Sequence, residues 1–178
     1  MAADEKIKQN AMGTTNISGM QSAAWGLMRI SIGWMLLWGF LDKMFGLGFT
    51  TAAEKSWLDG VSPTTGFLKG AATGPFADIF HKLAGQAWVD WLFMLGLLLI
   101  GLSLIFGVGM KIATGAGCLL FALMFLAVMP PKHNPLIDEH IVYILAMIVM
   151  QQNKAGRQWG LGSWWSQTGL VKRHPILE

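Results

Sequence analysis

Charge is scarce in this sequence. Only 13% of its 178 residues are charged, whereas 53% are hydrophobic, and the mean hydropathy is +0.48. Soluble domains of ordinary composition carry about a quarter charged residues. The deficit argues against an ordinary soluble domain and favours an integral membrane protein.

Cysteine is almost absent, since Cys118 is the only one. A lone cysteine excludes an intramolecular disulfide, a Cys-x-x-Cys redox pair and a thiolate cluster for zinc or iron–sulfur. Redox chemistry carried by the chain's own thiols is therefore not expected. Cys118 follows the small residues Gly115, Ala116 and Gly117, where it is interpreted as a packing residue.

Other sequence signals are also missing. There is no run of basic residues and the net charge is only +3, so no nucleic-acid partner is predicted. Residues 1–21 form a polar arm without the apolar core of a secretory signal. A bis-histidine haem site needs two histidines facing each other inside the spans, and only His140 falls in one. Neither haem nor a metal is predicted.

What the sequence does contain is four apolar segments, each near the roughly 20 residues that a helical crossing needs. They cover about 23–47, 88–109, 110–129 and 135–152. Asn134 is predicted to cap the last segment, with Pro135 at its first helical position. The expected fold class is all-α: an integral membrane four-helix bundle over residues 22–152, with a long re-entrant or interfacial loop between helices 1 and 2 and an interfacial C-terminal tail.

The loop and the tail have different compositions. Residues 48–87 are rich in Gly, Thr and Pro but keep aromatic anchors, and short helices are expected near Thr51–Asp59 and Phe76–Leu83. The function of this loop stays open. The tail, residues 153–178, combines tryptophans with Lys172 and Arg173, which is typical of a segment lying on lipid headgroups.

Basic residues indicate the orientation of the spans. With four spans both termini share one side of the membrane. That side carries Lys6, Lys8, Lys111, Lys154, Arg157, Lys172 and Arg173, and the other side carries Lys55, Lys69, Lys82 and Lys132. The positive-inside bias places both termini in the cytoplasm, and the expected location is a prokaryotic cytoplasmic membrane.

Connectivity gathers most ionisable groups of the spans at one end of the predicted bundle. Those at this end are Asp42, Lys43, Asp90, Asp138, Glu139 and His140. Arg29 alone lies near the opposite leaflet. Ionisable residues inside a membrane mark functional sites by default, so the clustered end is the candidate site.

Helical spacing suggests which of these groups face the interior. Arg29 and Lys43 share one narrow sector of span 1, and Glu139 and Tyr143 are i, i+4 neighbours in span 4. His140 and Tyr143 share a second face, from which Asp138 is expected to turn away. Lys43 on an internal face would need an anion, for which Asp90 and Glu139 are the available partners.

Each of these residues also has a structural interpretation. Acidic residues at the start of a helix complement its dipole, and a lysine at the end of a span commonly snorkels to the headgroups. Arg29 could bind a lipid phosphate. The alternatives are a quinone-linked site, in which Glu139, His140, Asp42 and Asp90 act as proton donors, and a set of structural ion pairs.

Two stretches and the tail resemble the DoxX/DoxD membrane family. The first is LMRISIGWMLLWGFLDKMFGLGF, with an arginine near its start, a glycine four residues on and a lysine at its far end. The second is NPLIDEHIVYILAM, in which an acidic residue and a histidine open the last span. The tail stretch AGRQWGLGSWW is also similar. The family pattern covers Arg29, Lys43, Asp138 and His140.

The resemblance implies a four-helix membrane subunit of a thiosulfate:quinone oxidoreductase, which oxidises thiosulfate to tetrathionate and reduces membrane quinone. The expected cofactor is a quinone, held by Lys43, Arg29 and Tyr143. The expected partners are the bilayer and a further subunit or larger membrane complex. The alternative is a non-catalytic accessory subunit of a respiratory or redox complex, and a small transporter or proton-conducting bundle ranks third.

Overall fold

The structure is a computed structural model that describes residues 2–131, 134 and 136–178, with side chains from residue 19 onward. Within those residues all regular structure is helical, as the sequence predicts. The α-helices are α1 (Ala2–Phe45), α2 (Thr65–Gly70), α3 (Ala77–Leu83), α4 (Ala87–Phe106), α5 (Met110–Val128), α6 (Glu139–Gln152), α7 (Gly162–Trp165) and α8 (Gly169–Arg173). Short 3-10 turns cover Ala53–Lys55, Gly74–Phe76, Ala155–Arg157 and Pro175–Leu177.

Three described segments are long and apolar enough to cross a bilayer: Gly19–Phe45 within α1, Ala87–Phe106 and Met110–Val128. They correspond to the first three predicted spans. At 1.5 Å per residue the 14 residues of α6 cover about 21 Å, less than the roughly 30 Å of a hydrocarbon core. The apolar helices place the protein in a lipid bilayer, with α6 shorter than a standard crossing.

The start of α6 differs from the sequence prediction. Asp138, and not Asn134, is its N-cap: the Asp138 carboxylate accepts from the main-chain N–H groups of His140 and Ile141. The Asn134 side chain instead accepts from the amides of Leu136 and Ile137, a local Asx turn. Pro135 lies outside the described residues. A carboxylate that accepts from two amides holds the helix start, so the helix begins later than predicted.

One apolar core joins α1, α4, α5 and α6. α1 packs along α4, α4 along α5 and α5 along α6, and α6 also touches α1. The core contains Ile32, Leu36, Leu97, Ile100, Leu104, Met110, Ala113, Phe121, Met147, Met150 and Ala155. Every one of the four helices therefore buries a face in the same interior.

Large apolar side chains also cover the outside of these helices. Leu92, Leu99, Leu119, Val142 and Leu145 are each more than half exposed. Water would penalise such a surface, whereas lipid tails are as apolar as the side chains themselves. The exposed stripes include α6, which therefore presents a lipid-compatible face like its neighbours.

Residues 46–86, called here the cap segment, fold over one end of the helices. Leu68, Ala72 and Phe80 form a second small core with Ala127 at the end of α5. The amide of Thr73 also donates to the Ala127 carbonyl at 2.9 Å. Of the two short helices expected here, the one near Phe76–Leu83 is confirmed as α3, whereas Thr51–Asp59 contains only a 3-10 turn.

The tail, residues 153–178, lies at the opposite end. The Leu161 amide donates to the carbonyl of Phe106 at 2.8 Å, and the Lys111 amide donates to the main-chain oxygen of Glu178 at 2.9 Å. The tail is thereby attached to the turn between α4 and α5. The cap segment and the tail thus cover the two ends of the helices.

The contact between α1 and α4 depends on two glycines. A Cβ on Gly101 would lie 2.9 Å from the main-chain nitrogen of Leu37 and 3.0 Å from the carbonyl oxygen of Gly33. Both obstacles are backbone atoms, which cannot move aside without shifting a helix. Small residues at such positions let helix backbones approach closely in membranes.

We predict that Gly101→Ala destabilises the protein by about 1–3 kcal/mol, the usual range for overpacking a tight contact. Thermal unfolding in a mild detergent measures the effect. Gly96→Ala on the same helix is the matched control, because a Cβ there meets no other atom within 4 Å. Equal melting temperatures for the two variants would contradict the close contact.

Candidate functional site

The candidate site centres on Asp138 and His140. The Nδ1 atom of His140 lies 2.7 Å from Oδ2 of Asp138, while Oδ1 accepts from the His140 amide at 3.0 Å. The expectation that Asp138 turns away from the His140 face is therefore wrong: as the N-cap it lies outside the helical repeat, so its carboxylate can fold back over the first turn. The two side chains are only 8–10% exposed.

Aromatic rings from two helices surround this pair. The Phe121 ring of α5 lies 6.3 Å from the His140 ring and 5.1 Å from the Tyr143 ring, between centroids. Among the described residues, neither Nε2 of His140 nor the Tyr143 hydroxyl has a hydrogen-bond partner, and neither atom is fully enclosed. Both polar atoms are therefore available to a ligand beside an aromatic wall.

The register of α6 on α5 sets the depth of the pair. Gly117 faces Met147, where an added Cβ would lie 2.5 Å from the methionine methyl carbon, and Phe121 faces Tyr143. About 10 Å of helix separates Phe121 from Val128, where α5 ends. Because α6 runs antiparallel to α5, His140 and Asp138 lie about 4.5 and 7.5 Å from Tyr143 towards the end of α5. The Asp138–His140 pair therefore lies beside the last turns of α5.

Glu139 occupies a different environment from its neighbours. It is the first residue of α6 and is exposed. There it complements the positive end of the helix dipole. It also lies between Asp138 and His140 in the sequence, with its carboxylate on the exposed side of the first turn of α6.

Asp42 serves the cap segment. It is only 1% exposed, and its carboxylate accepts from the amides of Phe49 and Thr50 at 3.2 and 3.0 Å and from the Thr50 hydroxyl. These bonds close the turn that follows α1. With its acceptor positions occupied in this way, Asp42 acts as a structural group.

Asp90 performs a similar task on α4. Its Oδ1 atom accepts from the hydroxyl of Ser62 at 2.8 Å and from the Thr64 hydroxyl, and the residue is 6% exposed. The first turn of α4 is thereby fastened to the cap segment. Among the described residues, Asp90 forms no ion pair with Lys43, for which it was one of two expected partners.

Lys43 lies in the last turn of α1 and is half-buried. Within the described part of the chain its ammonium group forms no ion pair, so the expected pairing with Asp90 or Glu139 is not found. The reason is that Asp90 is bound to hydroxyl groups and Glu139 faces outward. Lys43 is a cation at the same end of the helices as the Asp138–His140 pair.

Arg29 is fully buried, with 0% exposure, at the tail end of the molecule. Its Nη1 group donates to the carbonyls of Leu104 and Ile105, at the end of α4. Its Nη2 group donates to the carbonyls of Gln158 and Trp159, at 3.0 and 3.1 Å. A cation is favourable at a helix C-terminus, and this one presents no surface to lipid or to a quinone.

The structure thus brings together only part of the predicted set. Asp138, His140 and Tyr143 form one cluster with Phe121, which the sequence reasoning missed because no polar signal marks it. Asp42 of α1 and Asp90 of α4 instead bind the cap segment, through hydroxyl groups of Thr50, Ser62 and Thr64. In the described ranges no three His, Cys, Asp or Glu side chains are grouped closely enough to hold a metal ion.

Comparison with known proteins gives no relative. No family model, no curated protein and no solved structure matches the chain.

We predict that Arg29→Leu lowers the stability by about 3 kcal/mol or more, since removing one side of a buried charged hydrogen-bond network has a cost of this order. The variant leaves carbonyls of α4 and of the tail without donors. Thermal unfolding in detergent measures the loss, and limited proteolysis of the tail shows where it occurs.

Arg173→Leu is the control, because it removes the same charge from an exposed position. Arg29→Lys should recover only part of the stability, since an ammonium group cannot reproduce the planar fork of donors. A wild-type melting temperature for Arg29→Leu would contradict the structural role.

Proposed function

We propose that the chain is a DoxX/DoxD-like membrane subunit of a quinone-linked oxidoreductase, and that the quinone headgroup binds beside Asp138 and His140. The observation that carries the proposal is the buried 2.7 Å contact between these side chains, beside the last turns of α5. A buried ionisable pair among apolar helices of a membrane protein is costly and marks a functional site by default. The aromatic wall of Phe121 and Tyr143 suits a flat ring.

The proposal places α6 in the bilayer as the fourth segment of a transmembrane four-helix bundle. Its support is the outward apolar stripe that includes Val142 and Leu145, 54% and 57% exposed, and the packing of α6 on α5 and α1. Non-helical backbone at membrane depth is tolerated where it lines a cavity or is buried in protein.

In this proposal His140 is the proton donor to the quinone. Asp138 accepts from Nδ1, which fixes the orientation of the ring and leaves Nε2 to face the ligand. The quinone takes up two electrons and two protons to become the quinol. His140 would deliver the first proton through Nε2, exposed Glu139 would return a proton to it from the outside, and His140 would then deliver the second. The Tyr143 hydroxyl would hydrogen-bond the second quinone oxygen.

The proposed reductant is thiosulfate or another sulfur compound. Two thiosulfate ions join through a new S–S bond to give tetrathionate and release two electrons, which the quinone accepts together with two protons. Lys43, at the same end of the helices, attracts the anionic reductant. Since Cys118 is the chain's only thiol, the electrons pass directly from reductant to quinone or through a partner subunit.

A second candidate is a non-catalytic accessory subunit of a larger redox complex. The observation that favours it is the use of Arg29, Asp42 and Asp90 in hydrogen bonds that attach helix ends to the tail and to the cap segment. Such groups stabilise a fold without performing chemistry. In that role the protein is a rigid membrane anchor with both termini on the cytoplasmic side.

We predict that His140→Gln and Asp138→Asn each lower thiosulfate-dependent quinone reduction by about 100-fold, the usual scale for losing a general acid or the group that orients it. Asn is as good an N-cap as Asp, so Asp138→Asn removes the charge facing the imidazole while α6 keeps its cap. The assay follows quinone absorbance in membranes that contain the protein, together with the quinone retained after purification.

Asp78→Asn is the matched control, because it makes the same change at an exposed position of α3. Wild-type rates in folded His140→Gln and Asp138→Asn proteins would rule out the proton-donor role. A preparation with no retained quinone, in which the chain is held at fixed stoichiometry in a larger assembly, would replace the first candidate by the second.

A further inference from the structure

A cavity of about 140 Å³ lies at the tail end of the molecule, away from the Asp138–His140 pair. It is enclosed by the turn between α4 and α5, the last turn of α6 and the tail. Lys111, Lys154, Arg157, Trp165 and Glu178 contribute to its wall. None of these residues takes part in the proposed quinone site, so an inference about the cavity stands independently of it.

The wall of this cavity carries an excess of positive charge. Three cationic side chains, those of Lys111, Lys154 and Arg157, line the cavity together with one side-chain carboxylate, that of Glu178. The cavity also lies at the N-terminus of α5, whose N-cap is Gly109 and has no side chain to bond the free amides. The partial positive charge of this 19-residue helix therefore adds to that of the cations.

The Glu178 carboxylate already accepts hydrogen bonds from two of these cations, as a bound anion would. Its Oε1 atom lies 2.6 Å from Nη2 of Arg157, and Oε2 lies 3.4 Å from Nζ of Lys111. Its main-chain oxygen accepts from the Lys111 amide at 2.9 Å. The hydrogen bond from Arg157, followed by that from Lys111, lowers the pKa of the Glu178 carboxyl.

The site stays open to exchange. The side chains of Lys111, Arg157 and Glu178 are 38%, 40% and 32% exposed, and Lys154 forms no ion pair with any described residue. The Glu178 carboxylate is held by its ion pairs with Lys111 and Arg157 and remains partly exposed, so another anion can displace it. Trp165 beside it is of the residue type that lies at headgroup level.

We propose that this cavity binds a phosphate-type oxyanion, carried on the headgroup of an anionic lipid or free in solution, and that the Glu178 carboxylate competes for the same cations. Arg157 and Lys111 donate to the oxyanion as they now donate to Glu178, and Lys154 supplies the further charge. Binding releases the tail residues around Pro175 from α5, since Lys111 Nζ now also donates to the Pro175 carbonyl at 2.8 Å.

The test uses the full chain purified in a neutral detergent and in nanodiscs of phosphatidylcholine. One arm titrates inorganic phosphate and follows the melting temperature. The other arm adds phosphatidylglycerol to the nanodiscs and counts retained lipids by native mass spectrometry. The variants are Glu178→Gln, Lys111→Gln and Arg157→Gln, with Lys172→Gln as an exposed control of equal charge change.

Glu178→Gln should tighten binding and Lys111→Gln and Arg157→Gln should weaken it, each by about tenfold, which corresponds to one charge-assisted hydrogen bond. Lys172→Gln should leave it unchanged. Because Glu178→Gln is a gain of affinity, it cannot be mistaken for misfolding. Saturation by phosphate alone identifies a free anion, and retention of phosphatidylglycerol alone identifies a lipid.

Two results would overturn the proposal. One is the absence of any binding, in both arms, that depends on Lys111 and Arg157. The other is weaker binding in Glu178→Gln, which would mean that the carboxylate builds the site and does not compete for it. Loss of quinone reduction in the Asp138 or His140 variants has no bearing on either result.

Discussion

In a medium without water, each free polar group at a helix end must find a partner inside the protein, and most buried charged side chains described here meet that need. Arg29 donates to two carbonyls at the end of α4 and two in the tail. Asp138 accepts from two amides at the start of α6. Asp42 accepts from two amides that follow α1. Charged side chains thus satisfy free amide and carbonyl groups at the ends of the apolar helices.

The need for an internal partner explains why there are few charged residues in the helices and why they lie at the helix ends. Arg29 has no carboxylate within reach among the described residues, and it is stable because the end of α4 already carries partial negative charge. Asp90 ties the opposite end of the same helix to Ser62 and Thr64. α4 is therefore fixed at both ends by side chains from outside it, and the glycine contact with α1 lies between them.

Composition and hydropathy were sufficient to predict the helical class, the three long apolar segments and the short helix α3. Connectivity also placed Asp42, Asp90, Asp138 and His140 at one end. The partners of these residues could not be predicted, because hydrogen bonds to Thr50, Ser62 and Thr64 depend on how the cap segment folds. The start of α6 was missed for a local reason: Asn134 and Asp138 are both of the residue types that cap helices, so the sequence alone does not select between them.

His140 differs from the other buried ionisable groups because one of its two ring nitrogens is not used to hold the fold. This difference makes it the best candidate for proton transfer. Asp42 uses both carboxylate oxygens, Arg29 both Nη groups and Asp90 its Oδ1 atom to hold the fold, and none of the three lies beside an aromatic wall with a ring nitrogen unused. His140 uses only Nδ1 for Asp138, and no described residue engages Nε2. The imidazole is buried and oriented by a carboxylate, and its second nitrogen makes no bond that holds the fold. That nitrogen can therefore serve in proton transfer. For this reason the functional proposal rests on the pair beside Phe121 and not on the larger set of charges at the same end.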